Sequence, residues 1–195
     1  SVVTTSAGAS NAFAQRQPIE SVRTLAGQSA VLSFYAKADA SKNMAVEFLQ
    51  SFGTGGSPSA TVTAIGVTTC ALTTAWQKFT IPVSIPSISG KTLGTNNDDF
   101  LGVMFWMDAG SSFNARTNSL GQQSGTFDIA QVQLEAGSVA TPFEMRPLGT
   151  ELALCQRYYQ QWIGGWNGVA GGDLWQQSTT VNFNTQMRAT PTLGV

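Results

Sequence analysis

The chain has 195 residues, with 10 Lys and Arg against 11 Asp and Glu, a formal net charge of −1 and only 11% charged residues. A balance this close to neutral offers no basic surface to a nucleic-acid duplex or an anionic membrane, so neither is an expected partner. Histidine is absent, which removes the commonest general base, the Ser-His and Cys-His nucleophile pairs and most zinc sites. No apolar run approaches the ~20 residues of a membrane helix, and the first residues lack the basic and apolar regions of a secretory signal; a soluble protein not exported by that route is expected. The length suits one β-domain plus a small appendage, with a core that needs no metal or disulfide.

Taken in chain order, residues 1–5 and 12–22 read as strands. In the next, Ala30, Leu32, Phe34 and Ala36 share one face and belong in the core, while Val31, Ser33, Tyr35 and Lys37 share the other. Met44, Val46 and Phe48 then alternate with Ala45, Glu47 and Leu49, up to a Gly/Ser/Pro loop at 53–58. A strand over 60–67 is followed by LTTAWQKFTIPVSIP, in which Phe79, Ile81 and Val83 point inward and Pro82 favours an edge or bulge. The run 99–107 is apolar on both parities, with Leu101, Val103, Phe105 and Met107 opposite Phe100, Met104 and Trp106. One side meets the core, and the other meets something else apolar. A long polar loop covers 108–125, a length more often functional or flexible than incidental. Short strands separated by turn clusters predict an all-β sandwich, read here as a jelly roll.

The stretch 125–160, GTFDIAQVQLEAGSVATPFEMRPLGTELALCQRYYQ, reads as a closing strand and a connector stiffened by Pro142 and Pro147. A short helix follows from near Glu151, capped by Thr150. The expected division is a jelly roll over 1–137, an extended connector over 138–150, and over 151–195 the helix with a Trp/Gly-rich β-appendage. Trp162, Trp166 and Trp175 are expected to build that appendage's core or a subunit interface. The final MRATPTLGV looks like an interrupted strand, so the chain is expected to be part of a longer protein.

QLEAGSVATPFE followed by ELALCQRYY resembles a segment recurrent in bacteriophage tail-fibre, tailspike and related virion proteins, directly after a jelly roll similar to carbohydrate-binding modules. TLAGQSAVLSFYAKA, LTTAWQKFTIPV and NNDDFLGVMFWM extend the resemblance over most of the chain. It implies a location on the virion, trimeric self-association, contact with other virion proteins and attachment to a host-surface glycan. In the resembling modules the position of Trp76 is structural, so Trp76 is expected to pack. They often hold a structural calcium with an acidic residue of the last strand, which points to Asp128; calcium needs six to eight oxygens, one Asp does not make a site, and no cofactor is expected.

A glycosidase needs two carboxyl groups roughly 5–10 Å apart. Glu47, Asp98, Asp99, Asp108, Asp128, Glu135 and Glu144 are the candidates, and no spacing singles out a pair. Asp98 and Asp99 read as turn residues, and Glu135 and Glu144 as holding the connector with Arg146. Cys70 and Cys155 match no metal spacing and read as buried free thiols. GGSPS lacks the spacing of a phosphate loop. A non-catalytic protein is therefore expected.

Sugars are bound by aromatic platforms flanked by hydrogen-bonding groups. Tyr35, Lys37, Glu47 and Trp106 all lie opposite core residues, and on one concave sheet the four would line a single groove. Against that stands a reading in which Tyr35 and Trp106 cover the second face or meet a neighbouring subunit. The expected function is a glycan-binding virion domain, with a purely structural virion adaptor or decoration protein as the alternative.

Overall fold

The computed structural model describes residues 1–160 and 185–188; the tryptophan cluster expected in the β-appendage lies outside them. The chain divides into two compact units, Ser1–Phe143 and Glu144–Val195.

The first unit holds eight strands: β1 (Val2–Val3), β2 (Ala12–Glu20), β3 (Ser29–Ala38), β4 (Lys42–Ser51), β5 (Val62–Leu72), β6 (Gln77–Ser84), β7 (Phe100–Ala109) and β8 (Gly125–Ala136). They form two four-stranded antiparallel sheets, ordered β1-β8-β3-β6 and β2-β7-β4-β5. The chain changes sheet at every connection except the β4–β5 hairpin, which is the winding of a jelly roll. The expected all-β sandwich is therefore present.

Period-two alternation decides which side chains fill the space between the sheets. Ala30, Leu32, Phe34 and Ala36 from β3, Met44, Val46 and Phe48 from β4, Ile81 and Val83 from β6, and Leu101, Val103, Phe105 and Met107 from β7 are all buried in one cluster. Phe34 joins the layers, stacking on Phe79 at 5.4 Å and meeting Phe105 edge-on at 5.2 Å. Complete burial of a side chain of this size contributes about 1.5–3 kcal/mol, so this seam supplies much of the driving force.

Asp98 and Asp99 act as turn residues. The Thr54 amide donates to Asp98 Oδ1 at 2.7 Å, and the Val22 amide to Asp99 Oδ2 at 2.8 Å. Gly53 sits at φ +83 with its absent Cβ only 2.6 Å from Asp98 Oδ1, so that turn accepts no side chain.

The last strand of the sandwich ends at Ala136, and the first residues of the connector, 138–143, group with the first unit. Thr141 N donates to Glu135 at 3.0 Å and Gln133 Nε2 to Thr141 Oγ1 at 3.2 Å, clipping the connector to β8. Glu135 holds the connector through Thr141, and Arg146 pairs with Glu144 at 4.0 Å as expected and also with Glu151 at 3.5 Å.

A four-residue helix, α1 (Asn114–Thr117), lies between β7 and β8, and in the second unit a longer one, α2, spans Leu148–Gln156. It starts ahead of Thr150, because Pro147 supplies the turn (φ −57) and its carbonyl accepts the Thr150 and Glu151 amides at 3.0 and 3.2 Å. The expected Thr150 cap is replaced by that proline. No residue of α2 is buried, and Cys155 on it is exposed, so only Cys70 is the buried thiol expected of both.

Candidate functional site

The sheets present two outer faces, and the four expected sugar-contacting residues are divided between them. Glu47 and Trp106 lie on the second sheet, where Trp106 pairs with Ala45 and Glu47 with Met104. Tyr35 and Lys37 lie on β3 in the first sheet. They cannot line one groove, because a sandwich turns the outer faces of its sheets away from each other.

The outer face of the second sheet is closed by the chain itself. Residues 110–124 carry a 3-10 turn (Ser111–Phe113) leading into α1 (Asn114–Thr117), and they fold over β7 and β4. Phe113 meets the Trp106 ring at 5.1 Å. The Arg116 guanidinium lies 4.9 Å over the same ring and bonds Glu47 Oε1 through Nε at 2.8 Å and through a second nitrogen. Trp106 Nε1 donates to Glu47 Oε1 at 3.2 Å, and the Ala64 amide fills Oε2 at 2.8 Å. Glu47 is 0% exposed and Trp106 4%. On the second parity of 99–107, Trp106 and Met104 thus pack against apolar residues of this loop, Phe113 and Leu120.

The outer face of the first sheet is partly open. Tyr35 pairs with Lys78 on β6 and with Ala130 on β8, and directly paired residues share a face. One row further, Lys37 pairs with Asp128, its Nζ 3.5 Å from the carboxylate and 5.4 Å from the centre of the Trp76 ring. At the other end the folded-back connector covers the sheet, where Val31 and Ser33 are buried. Between connector and sheet lies a cleft of about 320 Å³ lined by Ser33, Tyr35, Lys78, Gln131, Thr141 and Phe143, among others. Gln131 sits in the β8 bulge at φ 51.

Trp76 corrects an expectation. It does not pack in the core but is 48% exposed. The physical reason is its phase: Trp76, Lys78 and Thr80 fall on the parity opposite Phe79, Ile81 and Val83, so the pattern that buries the latter turns Trp76 outward. The same parity marks Lys78, which the sequence reading passed over.

The candidate carboxylates are engaged in holding the fold. Asp108 accepts from the Gln123 amide at 2.6 Å and from Thr5 Oγ1 at 3.0 Å, and the others are bound as described above. Asp128 is engaged by the Lys37 ammonium at 3.5 Å, and among the described residues no group of three acidic, His or Cys side chains converges.

No protein-family model matches the chain, and no curated protein is similar to it. It is similar to a solved structure described as "CBM4 structure and function", a carbohydrate-binding module, at 21% identity and a TM-score of 0.38. The match covers 64% of this chain and 60% of that one, so the chain spans less than two thirds of its length.

Proposed function

We propose that this chain is a non-catalytic glycan-binding jelly roll of a phage virion protein, a tail fibre, spike or decoration, attaching the particle to a host-surface glycan. The observation that carries the binding is the open row on the first sheet. There, half-buried Tyr35 and Lys78 line the connector cleft, and one row further exposed Trp76 stands beside Lys37, which is paired with Asp128. Aromatic faces stack on the C–H faces of a sugar, and the ammonium, amide and carboxylate groups around them meet its hydroxyls. The virion setting rests on the resemblance carried by residues 125–160. Glycan-array binding tests the reading: Trp76→Ala and Tyr35→Ala each abolish the signal while the fold is retained.

A structural adaptor role, in a trimer or against other virion proteins, is favoured by a separate observation. Leu148, Leu152 and Leu154 of α2 are 83%, 54% and 45% exposed, which is costly in water unless a partner covers them. Solution mass with and without Leu152→Glu tests that role.

A further inference from the structure

The cleft between the connector and the first sheet is bordered by four side chains whose polar ends are uncommitted. Ser33, Tyr35, Lys78 and Gln131 line its volume of about 320 Å³. Among the described residues, none of these four side chains is engaged in a hydrogen bond or an ion pair. The neighbouring polar groups are engaged with one another. Thr141 donates to Glu135 from its N–H at 3.0 Å and from Oγ1 at 2.5 Å, and Gln133 Nε2 donates to Thr141 Oγ1 at 3.2 Å.

The charges of this face divide in the same way. Lys37 is paired with Asp128 at 3.5 Å, and both Glu135 oxygens accept from Thr141. Lys78 belongs to no ion pair among the described residues, and its pull on Glu135 is the smallest of the influences that lower that carboxyl. It is the one charged residue that lines the cleft, and no carboxylate lines it.

An ammonium has three donors and no acceptor, and the hydroxyls of Ser33 and Tyr35 and the amide of Gln131 can add donors to it. A carboxylate or a sulfate ester only accepts, so it matches this set and supplies the counter-charge that Lys78 lacks. A neutral sugar supplies no such charge. Tyr35 and Phe143 give the cleft an aromatic wall for a sugar ring. Its volume lies near the lower bound of about 300 Å³ for small-molecule pockets, so it suits a single sugar residue.

We propose that the glycan bound on this face is acidic: the cleft takes a sugar residue bearing a carboxylate or sulfate ester, its anion at the Lys78 ammonium and its ring against Tyr35 and Phe143. The proposal rests on the glycan-binding reading above and names the substrate class of that site. Trp76, two residues before Lys78 and exposed, meets the next sugar of the same chain.

The test is a glycan array that holds oligogalacturonates and sialylated oligosaccharides, each beside its carboxyl methyl ester, sulfated galactans beside desulfated ones, and neutral glucans. The ester keeps the ring and its hydroxyls and removes the charge. The array is probed with the native chain, Lys78→Gln, Lys78→Arg and Trp76→Ala. Lys78 is exposed, so its substitution spares the core, and circular dichroism checks the fold. The native chain is expected to bind at least one acidic glycan about tenfold or more tightly than its uncharged counterpart. That preference is expected to vanish in Lys78→Gln, to persist in Lys78→Arg and to shrink as salt rises from about 50 to 500 mM. Trp76→Ala weakens the acidic glycan and its counterpart together. Which pair carries the preference distinguishes a carboxylate from a sulfate. Uncharged glycans bound as tightly as acidic ones would overturn the proposal and leave the glycan-binding reading standing. A preference that survives in folded Lys78→Gln would also overturn it, placing the anion elsewhere. Binding of no glycan at all by the native chain overturns both.

Discussion

Arg116 and Glu47, 69 positions apart in the chain, meet beneath the outer surface of the second sheet, Nε to Oε1 at 2.8 Å. The carboxylate is fully buried while the arginine keeps a quarter of its side chain in water, so the loop is held by an ion pair open at one end only. Removing one partner of such a pair leaves a buried charge uncompensated, which is far more costly than the pair itself is stabilising. Arg116→Ala is therefore expected to destabilise the first unit by about 3–5 kcal/mol in urea unfolding. A loss below about 1 kcal/mol would place the pair in the class of ordinary surface contacts.

The two cysteines are expected to react differently. Burial pushes the Cys70 thiol up to about 11, while Cys155 stands exposed on α2. At pH 8 a maleimide reagent labels one cysteine per native chain, and both in denaturant. Because the unfolded Cys70 ionises near 9.0 and the folded one near 11, its contribution is fully present below pH 9 and is lost as pH rises from 9 to 11. Cys70→Ala removes that part of the alkaline slope; an unchanged slope contradicts the assignment.

The connector clip has the opposite sign. Hydrogen bonds from Thr141, first its hydroxyl, and from Gln133 hold the Glu135 carboxyl below the usual carboxylate range. Its contribution is present above the ordinary carboxylate pKa and is lost as pH falls through the lowered value. Thr141→Val is expected to return the Glu135 titration toward its ordinary value, read by NMR, and to speed proteolysis within 138–143. A titration that does not move would mean that the clip does not form in solution.

The exposed leucines of α2 predict self-association. If the helix is an assembly contact, Leu152→Glu lowers the solution mass to that of one chain and leaves the strand-rich circular dichroism unchanged. A mass unchanged by the substitution removes α2 from the interface.

The sandwich was legible because its signal is local. Alternation within 30–37, 44–49 and 99–107 assigns inward and outward faces without knowledge of the partner strands, and the buried cluster follows those assignments. The fate of Glu47 and Trp106 was not legible. It depends on Arg116 and Phe113, which reach them from a polar loop whose four-residue helix is too short to show a period. Trp76 was legible and misread: its parity with Lys78 and Thr80 turned it outward, while the resemblance assigned it to packing. Which outer face stays open depends on where two loops fold back, and no spacing in the sequence carries that.

The central claim is that the open row on the first sheet binds glycan. Titration calorimetry with an array-selected oligosaccharide tests it most directly, comparing the native chain with Trp76→Ala and with Arg116→Lys, which keeps the charge beneath the closed face. Binding lost by at least tenfold in Trp76→Ala, equivalent to about 1.4 kcal/mol, and retained in Arg116→Lys is the predicted result. Binding that survives Trp76→Ala and falls in Arg116→Lys, with both proteins folded, would contradict the account and move the site to the loop-covered sheet.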